Sequence, residues 1–324
     1  MPHTDSDCSV IAISNPRSGN NKRGGIEKFS RLLTAYPGIE HAVLQEFRNI
    51  HDVLALARDK DKKIIIVNGG DGTLQTVLTF LKEKENLAYK PQIVLLKAGT
   101  TSMGFGDVGF KTGVRKMLNM VNQYASDNDF QIARKSRQVL RMTLPDENFS
   151  TCGMFFGAAA IHSGILYCRQ NIHTKGIRGE LGPSMAMFRF LFDWLTVNKL
   201  TDTVQAHVQV DQQAEIKGEF SIVAATTLHR LLAGVYPFWA DKHRDQSLAI
   251  SLIKQGAHAP VQSGLSILRG RAPANDSDYL SYFASSILLT IDNGFTLDGE
   301  LYGEPGKPTR VILETAGPVT FLAP

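Results

Sequence analysis

The chain has 324 residues and a net charge of +4. That length exceeds one typical hydrophobic core and predicts two domains, while the mild positive charge suits anionic phosphates or an anionic membrane surface and falls short of a nucleic-acid footprint. The three cysteines, Cys8, Cys152 and Cys168, are an odd number without metal-ligand spacing, which argues against a disulfide framework and for a reducing, cytoplasmic setting. The polar start from Met1 to Asp7 lacks the basic and apolar regions of an export signal. The most apolar helical stretch, Phe188 to Leu195, is interrupted by Arg189 and Asp193 and is too short to span a bilayer, so membrane contact is expected only at the surface.

In chain order, Val10 to Ser14 reads as a short buried strand, stopped by Asn15-Pro16-Arg17-Ser18-Gly19. A helix from about Gly25 to Tyr36 follows, with Ile26, Phe29, Leu32 and Leu33 at helical spacing and Pro37-Gly38 ending it. Ile39 to Phe47 is a strand candidate. Asn49 is placed to cap the next helix, in which Val53, Leu54 and Ala57 form a stripe. Ile64 to Val67 is a third strand, and beyond the glycine turn Leu74, Val77, Leu78 and Leu81 mark a helix before a strand at Gln92 to Leu96. Strands alternating with helices imply a doubly wound α/β domain with a mostly parallel sheet, whose ligands sit beyond the carboxyl ends of the strands. Three polar or glycine turns lie at such ends: Asn15 to Gly19, Gly69 to Thr73, and Ala98 to Ser102.

After a helix from about Val114 to Tyr124, the polar stretch Ser126-Asp127-Asn128-Asp129 marks a boundary, giving residues 1–128 and 129–324. Beyond it, strands are expected at Ile132 to Leu144, Thr203 to Val210, Glu219 to Thr226, Leu248 to Ile253, Ser286 to Ile291 and Val311 to Glu314, a mostly antiparallel, β-sandwich-like domain. One helix interrupts it, from Pro183 to about Val197, with Met187, Phe190, Leu191 and Trp194 on one face. Gly303-Glu304-Pro305-Gly306-Lys307-Pro308-Thr309 has the wrong glycine spacing for a phosphate-binding loop and reads as a hairpin turn. The nine histidines form no zinc pattern. Arg169, Lys175, Arg178 and Arg189 form either a solvated face or a surface for lipid headgroups.

The most informative stretch is Val67-Asn68-Gly69-Gly70-Asp71-Gly72-Thr73-Leu74, between a strand and a helix. Its glycines permit close backbone approach to a ligand, and Thr73 lies at a helix N-terminus where amides favour an anion. Asp71 would repel a polyphosphate unless a cation or a proton donor bridges them, which points to metal-nucleotide chemistry.

These features resemble the diacylglycerol kinase catalytic-domain superfamily, which includes bacterial lipid kinases and sphingosine kinases. Asn15-Pro16-Arg17-Ser18-Gly19 is similar to its Asn-Pro-x-Ser-Gly loop, Gly69-Gly70-Asp71-Gly72-Thr73 to its Gly-Gly-Asp-Gly-Thr signature, and Leu297-Asp298-Gly299-Glu300 to its late Asp-Gly-Glu element. Gly99-Thr100 begins like the family's Gly-Thr-x-Asn-Asp element, but Ser102-Met103 stand where Asn-Asp is usual. The nearest acid is Asp107, which either substitutes for the missing one or caps the Val108-Gly109 turn. The Glu46-Phe47-Arg48 segment also lacks the family's usual threonine.

The resemblance implies an ATP-dependent, Mg²⁺-requiring kinase acting on a lipid hydroxyl, with nucleotide and lipid meeting in a cleft between the domains. Asn15, Pro16, Ser18, Gly19, Gly69, Gly70, Asp71, Gly72, Thr73, Gln75 and Thr100 would hold the nucleotide, with Asp71 acting through Mg²⁺. Glu300 would be the general base, with Asp298 beside it to hold metal or orient the base. Asp245-Gln246-Ser247-Leu248 resembles the family's Asp-Gly-x-Leu segment, so that Asp245, with Ser247 and Lys242 through their carbonyls, would hold a structural Mg²⁺; a plain solvated loop is the alternative.

The expected setting is the cytoplasm, peripherally at the inner membrane face, without nucleic-acid partners; a homodimer is compatible with the sequence. Two other readings stay open. One is an NAD kinase-like phosphotransferase, which shares the Gly-Gly-Asp-Gly turn, and the other is a catalytically weak lipid-binding or regulatory protein of the same fold.

Overall fold

The structure is a computed structural model describing residues 9–19, 21–97, 104–127, 129–174, 202–213, 215–231, 236–239, 248–257, 270–271 and 277–323. It divides into two compact units, the first running to Arg137 and including the chain from Pro318 onward, the second Gln138–Gly317.

In the first unit, β1 Val10–Ser14, α1 Gly25–Leu33, β2 Ile39–Val43, α2 Ile50–Asp59, β3 Ile64–Asn68, α3 Asp71–Lys82, β4 Gln92–Leu95, α4 Phe105–Val108 and α5 Val114–Ser126 follow one another. The strands pair in parallel in the order β4-β3-β1-β2. Continuous Val/Ile runs in β1 and β3 are buried throughout, as expected for strands covered on both faces. One core joins Val10, Ala12, Ile64, Ile66 and Val94 of the sheet to Phe29 and Leu33 of α1 and Met117, Leu118 and Val121 of α5.

Two element ends differ from the sequence pattern. Helix α1 stops at Leu33, short of Pro37, which disfavours helical backbone at the residue before it; the Tyr36 amide bonds back to Leu33 O at 2.8 Å. Strand β2 stops at Val43, where Glu46 and Asn49 form a reciprocal capping box around a 3₁₀ turn, Phe47–Asn49. Asn49 thus accepts the Glu46 amide at 3.2 Å and does not cap α2 through its side chain.

The end of the chain completes this unit. Phe321 pairs in parallel with Ile93, the Ala323 amide donates to Ala133 O at 3.0 Å, and Lys82 Nζ donates to Pro318 O at 2.9 Å. Phe321 and Leu322 are fully buried. Phe321→Ala is therefore expected to destabilise the first unit by about 3–5 kcal/mol, the range for emptying a buried phenylalanine site, and urea unfolding followed by hydrogen exchange in β4 will read it.

The second unit is mostly antiparallel. Its strands are β5 Arg134–Leu144 from Gln138 onward, β6 Phe149–Gly153, β7 Phe155–Ala159, β8 Val204–Val210, β9 Ile216–Thr226, β10 Leu248–Lys254, β11 Tyr279–Ala284, β12 Ser286–Ile291, β13 Phe295–Leu297, β14 Glu300–Tyr302 and β15 Thr309–Leu322 up to Gly317. Helix α6, Ala160–Thr174, follows β7 directly. Strands run β14-β13-β7-β9-β8-β12-β15, with β10 also on β9 and β11 beyond it. Alternating residues such as Val204, Ala206, Val208 and Val210 of β8 and Ile287, Leu289 and Ile291 of β12 converge on one core with Phe156, Phe220 and Phe295.

The sequence pattern missed β6, β7, α6, β11 and the short strands β13 and β14. The stretch from Cys152 to Ala160, apolar residues mixed with glycine and alanine, shows neither period clearly. The helix expected from Pro183 to Val197 lies outside the described residues. The Gly303 to Thr309 segment is not a hairpin, because β14 and β15 are not paired; it links distant strands and is pinned by Gly306 N donating to Asp292 O at 2.7 Å. No helix among the described residues is long and apolar enough to cross a membrane.

Candidate functional site

In the first unit the chain leaves β1 toward β2 on one side and returns to β3 on the other, so the strand order reverses between β1 and β3. Ligands of open α/β sheets bind outside the carboxyl ends of the strands at such a reversal. Ser14 and Asn68, the last residues of these strands, are register partners. The two polar turns read from the sequence begin at the next residues, Asn15 and Gly69.

Hydrogen bonds hold these turns together. The Asn15 Nδ2 donates to Thr73 Oγ1 at 2.9 Å, and the Gly70 amide donates to Ser18 Oγ at 3.0 Å. Within the first turn, Pro16 occupies the second position of a β-turn closed by Ser18 N to Asn15 O at 3.2 Å, its fixed φ suited to that place. Asn15 Oδ1 accepts the Arg17 amide at 2.9 Å. Gly69 is required here because a Cβ would lie 2.5 Å from Thr73 Cβ and Oγ1, preventing Thr73 from closing on Asn15.

Asn15, Ser18 and Thr73 are buried, and Gly70, Asp71 and Gly72 are half-buried at the mouth. Asp71 is the first residue of α3, and Gln75 lies one turn on, also buried. Pro16 and Gly19 sit in the same first turn. Thus the described nucleotide-site candidates form one cluster, with Thr100 outside the described residues.

Sequence reasoning missed Asn21, whose Nδ2 donates both to Asn15 O at 2.8 Å and to Asn68 O at 3.0 Å, tying the carboxyl ends of β1 and β3. No local pattern announces a side chain that bridges two distant carbonyls.

The arrangement is suited to an anion. The N-terminus of a 12-residue helix faces this mouth, and a positive helix end favours phosphate. A Mg²⁺ ion that keeps most of its water and bridges phosphates needs only one or two protein carboxylates, so Asp71 fits that donor set. A cage made only by protein is a different matter: among the described residues no three His, Cys, Asp or Glu side chains group to make one. Asp245, Ser247 and Lys242 lie outside the described residues, as do Ser102 and Met103.

Asp107 has a clear structural use. It lies in α4, and Arg137 grips its carboxylate from two sides, Nε to Oδ2 at 2.8 Å and Nη2 to Oδ1 at 2.9 Å, while Lys135 donates to its carbonyl at 2.7 Å. Both side chains are largely buried, so this bidentate pair fastens α4 to the start of β5. That engagement explains Asp107 better than capping a turn or standing in for a missing acid.

In the second unit, Asp298-Gly299 is the two-residue turn between β13 and β14. Both residues have positive φ, 49° and 89°, the conformation of a type I′ hairpin for which Asp-Gly is the favoured pair. The Asp298 carboxylate is buried and accepts the Met154 amide at 3.0 Å and the Phe155 amide at 2.8 Å, and its own amide donates to Phe155 O at 2.8 Å. These bonds join the hairpin to the start of β7. Glu300, two residues on, is exposed as the first residue of β14.

Asp298→Ala is expected to cost about 2–4 kcal/mol, since it strands two buried amides, whereas Asp298→Asn keeps an accepting oxygen and tolerates the left-handed conformation. Thermal melts of the two variants should therefore separate clearly.

Residues 9–129 match the model of the diacylglycerol kinase catalytic domain. No curated protein gives a significant match. Solved structures similar to this chain include three of Bacillus anthracis str. Sterne proteins that carry the name diacylglycerol kinase, two of them by assignment only. The first is 18% identical with a TM-score of 0.65, covering 97% of this chain and 96% of its own. The second is 18% identical with a TM-score of 0.64, covering 97% of both chains, and the third is 16% identical with a TM-score of 0.63, covering 97% of this chain and 96% of its own. At such identities the likeness establishes the fold: a largely parallel sheet followed by antiparallel strands. Residues 9–129 are thus similar to the diacylglycerol kinase catalytic domain, and the chain as a whole shares the fold of these structures.

Proposed function

We propose that the protein is an ATP-dependent, Mg²⁺-requiring lipid kinase that phosphorylates a hydroxyl of a diacylglycerol-, sphingoid- or related lipid. The observation that carries this reading is the joining of Asn15–Gly19 to Gly69–Thr73 at the strand-order reversal, with Asp71 opening a helix beside them.

In this reading Asn15, Ser18, Gly19, Gly69, Gly70, Gly72, Thr73, Gln75 and Thr100 hold the nucleotide, Ser18 being fixed by the Gly70 amide and Thr73 by the Asn15 side chain. Mg²⁺, when bound, neutralises charge on the phosphates, and Asp71 is the residue that would hold it. Glu300 takes the proton from the acceptor hydroxyl as its oxygen bonds to the γ-phosphorus and the bond to the departing ADP oxygen breaks. Asp298 sets the position of Glu300 through the hairpin it anchors. Such transfer depends mainly on positioning and charge neutralisation, which a few well-held groups can supply.

The test is transfer of label from γ-labelled ATP by the purified protein with Mg²⁺, with and without extracted lipid. Labelled lipid supports the proposal. Label on NAD in place of lipid would move the reading to an NAD kinase, and tight lipid binding with no nucleotide binding would make the protein a regulatory member of the fold.

A further inference from the structure

Beneath the two turns lies a row of polar side chains. Ser14, Asn68 and His41 extend the face of the sheet whose apolar residues, Val10, Ala12, Ile64, Ile66 and Ile39, pack against α1. Ser14 is fully buried and Asn68 is 5% exposed, so their polar atoms depend on one another. The Asn68 Nδ2 donates to Ser14 Oγ at 2.9 Å, and Ser14 Oγ lies 2.9 Å from His41 Nε2. Across the ring, Nδ1 lies 3.4 Å from Ser30 Oγ of α1, and Phe29 stands edge-on to the imidazole. The backbone carbonyl of Asn68 in turn accepts the Asn15 amide at 3.0 Å and Asn21 Nδ2 at 3.0 Å.

We propose that His41 is a positioning residue for the nucleotide site: its neutral ring accepts the Ser14 hydroxyl proton at Nε2, which fixes Ser14 and Asn68 under both turns, and protonation of the ring loosens them. The inference rests on the nucleotide-binding reading of these turns.

The proton assignment follows from the donor inventory. Asn68 uses an amide hydrogen toward Ser14, so the single hydroxyl hydrogen of Ser14 is available for Nε2, leaving Nδ1–H to face Ser30. Protonation makes Nε2 a donor and removes that acceptor from a fully buried hydroxyl. Burial already holds the His41 pKa below its ordinary value of 6.5. Among the described residues no charged group opposes the ring: β1 carries none, the charged residues of α1, Glu27, Lys28 and Arg31, are exposed, and Glu40 on the opposite pleat of β2 is held by Lys62 at 2.9 Å. The unfolded chain binds a proton at His41 more readily than the folded one, so stability also falls as pH drops below about 6.5.

The experiment measures the KM for ATP between about pH 5 and 8 in wild type and His41→Gln, and assigns the His41 tautomer by nitrogen-15 NMR in the wild-type protein. Wild-type KM is expected to rise about fivefold as His41 protonates, the effect of one hydrogen bond. His41→Gln, which keeps an accepting oxygen but does not titrate, loses that rise, and Ser14→Ala has a raised KM at every pH. The free protein shows the Nδ1–H tautomer. The same pH dependence in His41→Gln as in wild type, a KM that falls on protonation, or the Nε2–H tautomer overturns the proposal. Wild type that binds no ATP at any pH overturns the nucleotide reading itself, and the positioning role with it.

Discussion

Asp71→Asn is expected to lower lipid-stimulated ATP turnover by about 10³-fold, the scale of removing one electrostatic group from a transition state. Asparagine keeps the shape and the hydrogen-bonding reach of aspartate but not its charge. Asp71 opens α3 at the half-buried mouth of the turns, while the bonds that join those turns run through Asn15, Ser18, Gly70 and Thr73. The variant should therefore fold, with the loss of a favourable charge at a helix N-terminus costing about 0.3–1 kcal/mol. Steady-state kinetics over a Mg²⁺ titration provides the measurement. A large loss of kcat with a raised Mg²⁺ requirement is the expected pattern, and turnover within a few-fold of wild type would remove Asp71 from the chemistry.

Glu300→Gln is expected to lower kcat by about 10²–10⁴-fold with little change in ATP affinity, because a general base acts on the acceptor proton and not on the nucleotide. Glu300 is exposed on β14, and exposed substitutions away from special features change stability by only about 0.5 kcal/mol in either direction. This separates it from Asp298, whose carboxylate holds the Met154 and Phe155 amides. An Asp298→Ala loss of activity would be mixed with unfolding, whereas a Glu300→Gln loss would not. Nucleotide binding by calorimetry, set beside phosphoryl transfer to lipid, distinguishes the two. A Glu300→Gln enzyme with wild-type kcat would require another base.

Much of the first unit was legible in the sequence because its signals are local. Short Val/Ile runs bounded by turn residues read as buried strands, helical stripes identify the face that covers them, and asparagine or glycine stops β1 and β3 at their carboxyl ends. The Gly69–Thr73 turn was readable for the same reason: its backbone needs are written in four adjacent residues. Asp-Gly at 298–299 likewise carries its own turn conformation.

Other features depended on partners far away in the chain. Asp107 meets Arg137, Asn21 bridges Asn15 and Asn68, and Phe321 joins Ile93, each through a separation that no local pattern encodes. The small-residue run around Gly157 has no period of its own, and it becomes strand β7 only because β9 and β13 pair with it. Local backbone preference, hydrophobic period and turn chemistry belong to short stretches, so the sequence alone determined the α/β order, the position of the two polar turns and the family resemblance. Which side chain satisfies which buried polar group is settled only when distant segments are packed and each donor must find an acceptor, so the tertiary structure decided the hydrogen-bond partners of Asp107, Asp298 and His41 and the place of β15.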